Sequence, residues 1–454
     1  MSTSTSNTRR QIEIEAENVY TRVLQCLEGD RAVIVVNAPP GSGKTYLLLK
    51  VVQALLKKRC RVAVATQTNA QADDVCKRLA ASPWNVQCYR FVGSGRKSET
   101  KTRGIIEVDK FDDLPMGSGV VVGTSAKWGF VEIKNYFDVL LVDEAWQMQW
   151  SQFIPLGRVA PRFVLIGDPG QIPPVVAVNA SRWVTAQIPP HLPAPEIVCA
   201  NDEIIPGIGP IELQLPASRR LPADTVGILQ SFYDFGFLAW ADRGDRAVLC
   251  SRRNGDPIDR AIDLLADGSV CAVTRPTTDD PPPSDTDREV AELAVIIAER
   301  LIERKARVQL LDDDNGDRER RLTGADFAIA ATHRVMNQLI DQQLRSSTIL
   351  NDVRVDTPER WQGLERLITI VVHPLSGVLE PSAFDLETGR LCVMASRHRG
   401  GLIVVGRDHI GDTLDGFIVS ADQPIGRPDI TGRGHHQHLA FWGSLESQNR
   451  IVHL

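Results

Sequence analysis

The 454-residue chain contains no apolar run approaching the length that crosses a bilayer, so no membrane partner is expected. Met1 to Arg10 is polar and lacks an apolar core segment, which argues against a secretory leader. Cysteine is sparse: Cys26, Cys60, Cys76, Cys88, Cys199, Cys250, Cys271 and Cys392 include no Cys-x-x-Cys pair. Most lie in apolar runs, which predicts buried thiols in a reducing cytoplasm and no disulfide or zinc framework. Positive charge is not in surplus either. Lys and Arg number 51 against 57 Asp and Glu, a net charge of -6, so an anionic polymer would need a local basic groove. No short-period repeat is present. What remains is ordinary for a soluble protein, 43% hydrophobic and 24% charged, with the length of two or three domains. A cytoplasmic enzyme is expected.

One stretch organises the rest: Arg31 to Thr45, Arg-Ala-Val-Ile-Val-Val-Asn-Ala-Pro-Pro-Gly-Ser-Gly-Lys-Thr. Arg31 to Val36 is a β-branched run that reads as a buried strand, and Tyr46 to Leu56, free of Gly and Pro, reads as a helix. Strand, glycine-rich loop and helix together are the context of a phosphate-binding loop. Gly41 and Gly43 let the backbone curl so that the N–H groups of Gly41-Ser-Gly-Lys44 face one point, where the helix N-terminus adds positive potential. Pro40, Gly41, Ser42, Gly43, Lys44 and Thr45 form the expected cradle. Lys44 can reach the β- and γ-phosphates of a nucleotide, and the Thr45 hydroxyl can ligate Mg²⁺. Ala38 stands where such loops usually begin with glycine, which makes a φ > 0 conformation there costly.

Further strand-like runs follow at Arg61–Thr66, Val86–Val92, Gly119–Gly123, Phe137–Asp143 and Arg162–Asp168, with a helix over Ala70–Leu79. Continuous apolar strands alternating with helices predict a parallel sheet covered on both faces. A second series runs through Ala247–Ser251, Val270–Thr274, Arg307–Leu311, Phe327–Thr332, Leu367–His373 and Leu402–Gly406, with helices at Arg288–Arg307 and Val335–Leu344. Asp312 to Arg321 reads as a solvated hairpin. The expected organisation is a disordered N-terminus (1–10), two α/β domains (11–210 and 211–410) and a C-terminal tail (411–454). His435, His436 and His438 in that tail read as incidental and mobile.

Two acidic and polar strand ends narrow the chemistry. Asp143 closes the apolar strand Val139–Val142 and is placed to hold Mg²⁺; Glu144 beside it can orient and deprotonate a water. Gly167-Asp-Pro-Gly-Gln-Ile-Pro-Pro174 ends the next strand, where Gln171 can sense a γ-phosphate.

Taken in order, these segments resemble superfamily 1 helicases. Ala38–Thr45, Asp143-Glu-Ala-Trp-Gln147 and Gly167–Pro174 resemble motifs I, II and III, with the Asp-Glu-Ala-x-Gln box of the branch containing the nonsense-mediated-decay RNA helicase. Thr66–Ala72 resembles motif Ia, and Val120–Ser125 the strand-end motif that touches nucleic acid. Ser218-Arg-Arg-Leu-Pro222, Asp356–Glu365 and Cys392–Arg399 resemble motifs IV, V and VI. The resemblance implies two tandem RecA-like P-loop domains with ATP between them. It implies that Arg219 and Arg397 act as arginine fingers on the γ-phosphate, and that Glu365 meets the ribose or couples the ATP site to the strand. It also implies that Thr68, Asn69, Thr124 and Ser125 in the first domain, with Thr332, His333 and Thr357 in the second, grip single-stranded DNA or RNA through its backbone. Trp128, Trp146 and Trp361 are candidates for base stacking, although packing is the commoner role of such residues.

The sequence departs from the family where motif IV lacks its aromatic and histidine, motif VI lacks its asparagine, and no secure adenine-reading glutamine precedes the first strand. Three functions follow in order of preference: a translocating ATPase, a nucleotide switch acting on a protein partner, and a phosphate-loop enzyme on a small molecule. Oligomeric state is not readable.

Overall fold

The computed structural model describes residues 2–30, 32–95, 102–132, 134–176, 179–183, 185–201, 209–253, 255–278, 282–311, 318–361, 363–418 and 430–454. They form two units: Met1–Pro169 with Pro173–Pro216, and Gly170–Ile172 with Ala217–Leu454.

The first unit carries strands β1 (Ala32–Asn37), β2 (Arg61–Thr66), β3 (Cys88–Phe91), β4 (Ile105–Val108), β5 (Gly119–Thr124), β6 (Val139–Asp143), β7 (Arg162–Gly167) and β8 (Ile211–Gln214). They form one sheet in the order β4-β3-β5-β2-β6-β7-β1-β8. Every pairing is parallel. The continuous apolar runs have a direct cause. In β1, Ile34 and Val36 enter one core while Val33 and Val35 enter the other, so both faces are buried. Helices α1 (Ser2–Cys26), α2 (Lys44–Lys57) and α3 (Asn69–Ala80) cover the sheet, joined by the short α4 (Ser125–Gly129), α5 (Trp150–Phe153) and α6 (Ala194–Cys199).

In the second unit, β9 (Ala217–Ser218) and β10 (Leu238–Ala239) make a small parallel pair. The remaining strands are β11 (Arg246–Leu249), β12 (Val270–Arg275), β13 (Arg307–Leu310), β14 (Glu319–Arg321), β15 (Phe327–Ala330), β16 (Arg354–Asp356), β17 (Arg366–Val372), β18 (His398–Arg407) and β19 (Ile451–His453). Six of them form an all-parallel sheet, β16-β15-β17-β18-β12-β19. β11, β13 and β14 pair antiparallel. The helices are α7 (Ala223–Leu229), α8 (Pro257–Gly268), α9 (Arg288–Glu303), α10 (Arg334–Leu344), α11 (Thr388–Ala395), α12 (Ile410–Gly416) and α13 (Ile430–Ser447). The sequence-based α/β class with large parallel sheets is what the chain adopts.

Four expectations are corrected. The N-terminus is helical from Ser2, because residues 2 to 26 hold no Gly or Pro to interrupt α1. Ile211 to Gln214 pairs with β1 in the first sheet; Ile211 and Leu213 pack on its core while Glu212 and Gln214 face solvent. Gly170–Ile172 segregate with the second unit, where Gly170 lies so close to Tyr233 that a Cβ would meet its ring at 2.5 Å. The C-terminal segment is no loose tail. α13 buries Phe441, Trp442 and Leu445 in the second core, and β19 closes the sheet beside β12. The hairpin expected over 312–321 survives as β13 pairing β14; Arg31, Gln362 and residues 312–317 lie outside the described residues. No helix among the described residues is long and apolar enough to cross a membrane. The cysteines are free thiols.

Candidate nucleotide and nucleic-acid sites

The phosphate loop forms between β1 and α2 as its residue types dictate. Gly41 sits at φ +69° and Gly43 at φ +91°, left-handed conformations that a side chain resists. Gly43 is the N-cap of α2, so the free N–H groups of the first helical turn open onto the loop. Ala38 needs no such freedom. It keeps an ordinary φ, donates its N–H to the Gly167 carbonyl at 2.8 Å and buries its methyl in the core. The glycine missing from the sequence pattern is therefore not required here. Ser42 is buried and its hydroxyl meets no protein partner.

The Lys44 Nζ lies 3.2 Å from Glu144 Oε2. Glu144 itself is held at φ +51°, and its N–H donates to Asp143 Oδ1 at 3.1 Å. Asp143 is buried at the end of β6. Burial first, and the negative charge of Glu144 second, push its carboxyl up to about 7, against the opposing pull of Lys44. A buried acid next to a second acid and one lysine is short of positive charge, which is the condition a divalent cation relieves. The donor set, a hydroxyl at Thr45 and a carboxylate at Asp143, suits Mg²⁺. Trp146 is a packing residue: its Nε1 donates to Asn37 Oδ1 at 3.2 Å, and a Cβ on Gly167 would lie 2.8 Å from its ring.

The other candidates divide by sheet edge. Thr68 caps α3 by accepting from Gln71 N at 3.2 Å, and Thr124 caps α4 by accepting from Lys127 N at 3.2 Å. Ser125 Oγ donates to Gln67 Oε1 at 3.4 Å. Since Thr66 pairs with Thr124, these groups stand together at the carboxyl ends of β2 and β5. Buried Arg90, which sequence reasoning missed, locks this corner by donating to Asn69 Oδ1 at 2.8 Å and Asp73 Oδ1 at 2.7 Å. Its place in a strand among apolar residues was the available signal.

In the second sheet, Thr332 and His333 follow β15 and Thr357 follows β16, at the carboxyl edge. Arg397 and Glu365 precede β18 and β17, at the opposite edge. Arg397 is buried, and its carbonyl accepts from Arg366 N at 2.8 Å. Glu365 is paired with Arg220 at 2.9 Å. Arg220 also donates to the Ser396 carbonyl at 3.3 Å. Arg219 is exposed and stacks on Trp240, 4.1 Å from its ring centroid, and its carbonyl accepts from buried Arg246 at 2.6 Å. Gln171 is buried, and its carbonyl would meet a Cβ on Gly389 at 2.6 Å. Trp128 and Trp361 are core residues; Trp128 Nε1 donates to the Val64 carbonyl at 3.0 Å.

A parallel sheet with a glycine-capped phosphate loop after β1 and an acidic pair at the end of β6, one strand removed, is the arrangement of the P-loop nucleotide-binding class. Comparison with known proteins carries this further. Residues 20–196 match the AAA domain family AAA_30. The DNA replication ATP-dependent helicase/nuclease JHS1 of Arabidopsis thaliana is 28% identical over 156 residues, covering 32% of this chain and 11% of that protein. The corresponding DNA2 of Saccharomyces cerevisiae is 27% identical over 154 residues, covering 32% and 10%. The chain thus spans about a tenth of the length of these relatives. A solved structure of an arterivirus helicase, nonstructural protein 10, is 14% identical with a TM-score of 0.42, over 88% of this chain and 63% of that one. The similarity thus lies in the first unit, as an AAA domain akin to that of ATP-dependent helicase/nucleases.

Proposed function

We propose that the protein hydrolyses ATP with Mg²⁺ and moves along single-stranded nucleic acid. The contact that carries this is Lys44 to Glu144 at 3.2 Å, which puts the phosphate-binding amine and the water-activating carboxylate at one place beside Asp143. ATP displaces the ion pair: Lys44 turns to the β- and γ-phosphates, and Glu144 is released to accept the proton of an attacking water. Thr45 and Asp143 would hold Mg²⁺, which supplies charge neutralisation to the phosphates when bound. Arg219, Arg397 and Gln171 are assigned to the transition-state shell, and Glu365 to the ribose once Arg220 yields it.

Thr68, Asn69, Thr124, Ser125, Thr332, His333 and Thr357 are assigned to the strand backbone. Their grouping at sheet ends supports this, since hydroxyls there reach phosphates without reading bases. The relatives are named as DNA-replication helicase/nucleases, which favours DNA over RNA as the strand. A nucleotide switch acting on a protein partner is the second reading, kept by the net charge of -6.

The test is steady-state ATP hydrolysis with and without poly-deoxythymidine or poly-uridine, beside Glu144→Gln. Stimulation by a polymer, reduced on the order of 10²–10⁴-fold in the variant, is expected. Hydrolysis that depends on Glu144 but ignores both polymers would move the conclusion to the switch.

A further inference from the structure

If the protein binds a single strand, its bases need surfaces, and the three tryptophans singled out by sequence do not offer them. Trp128 and Trp361 are buried, and Trp146 lies on Gly167. In the second sheet an exposed aromatic surface at a sheet end belongs to another residue. Phe384 is 43% exposed, and its ring centroid lies 5.4 Å from that of His333. The Arg390 guanidinium packs over the Phe384 ring at 4.1 Å. Arg390 also donates to the Phe384 carbonyl at 3.3 Å and to Glu359 Oε1 at 3.1 Å.

These contacts fix where Phe384 stands. His333 follows Thr332 at the end of β15, and Glu359 follows Thr357 at the end of β16. β15 and β16 are paired neighbours, with Ala330 opposite Asp356. Phe384 therefore bridges the two strand ends that carry the proposed backbone contacts. Thr332 Oγ1 at this place is shielded and meets no protein partner. Exposed Arg334 follows His333, and exposed Arg360, which pairs with Asp356 at 3.7 Å, follows Glu359. The Phe384 loop is already ordered: Ser382 donates to Asp385 Oδ2 at 2.6 Å, and Glu387 caps α11. A ring held in place before binding loses little entropy when a base stacks on it.

We infer that Phe384, with His333, is a nucleobase platform, on which an unpaired base of the bound strand stacks while Thr332 and Thr357 hold the adjoining phosphates. This rests on the strand-binding function proposed above. Stacking accepts any base, so the platform adds affinity without sequence preference.

The experiment measures binding of the full chain to fluorescent oligothymidylate and to an abasic deoxyribose strand of equal length, by anisotropy at fixed low salt. Wild type is compared with Phe384→Ala and Phe384→Tyr. Phe384→Ala is expected to weaken thymidylate binding on the order of tenfold or more, and Phe384→Tyr to restore it. On the abasic strand, wild type and Phe384→Ala should be equal. Equal affinities for thymidylate, or an equal loss on both strands, would overturn the platform and leave strand binding intact. Failure of the wild type to bind either strand would overturn strand binding itself, and the platform with it.

Discussion

At the residue scale, the phosphate loop turns on backbone freedom. Gly43 stands at φ +91° at the mouth of α2 with open space around its Cα, the nearest atom to an added Cβ being Tyr46 Cβ at 3.9 Å. Gly43→Ala therefore meets no clash, and its whole cost is conformational, about 1–2 kcal/mol. The expected outcome is weaker nucleotide binding, on the order of tenfold, together with a lowered melting temperature. A titration with a fluorescent ATP analogue and a thermal scan check both; unchanged affinity would mean the loop geometry is not needed. The placement of Lys44, Thr45, Asp143 and Glu144 at the loop and strand ends was legible from residue type and spacing, because each lies within a few residues of a strand end. The engagement of Glu365 by Arg220, and of Arg219 by Trp240, could not, because those partners are set by contacts between distant parts of the chain.

At the element scale, central strands were legible and edge strands were not. Arg61–Thr66 was read with the bounds the structure gives, since burial on both faces leaves an unbroken apolar run. β4, β8 and β19 are three or four residues long and only part-buried, so their sequences carry no continuous signal. α13 shows the same limit. Its run of Gly and His hides a buried stripe of Phe441, Trp442 and Leu445. Phe441→Ala is expected to cost about 3–5 kcal/mol of second-unit stability, read as a lower urea midpoint. A midpoint equal to wild type would show that α13 is not part of that core.

At the scale of the whole molecule, the second unit holds three buried histidines whose neutral form is enforced. Burial drives His398 and His438 down to about 3, and His373 well below the usual imidazole range. The unfolded chain binds these protons near pH 6.5 while the folded chain does not. Stability is therefore complete above pH ~6.5 and is lost as pH falls, by about 1.4 kcal/mol per pH unit for each histidine. Urea unfolding of the second unit at about pH 7 and pH 5.5 should give a clearly lower midpoint in acid. Equal midpoints would mean that one or more of these rings is solvated. Sequence alone determined the α/β class, the phosphate loop and the ordered motifs, because hydrophobic period and local turn chemistry are short-range properties. Tertiary structure alone decided which tryptophans are core, which arginine holds Glu365, that Gly170–Ile172 pack with the second unit, and that the last residues complete its sheet. Those outcomes depend on which segments meet across the fold, and the local pattern of residues carries no record of that meeting.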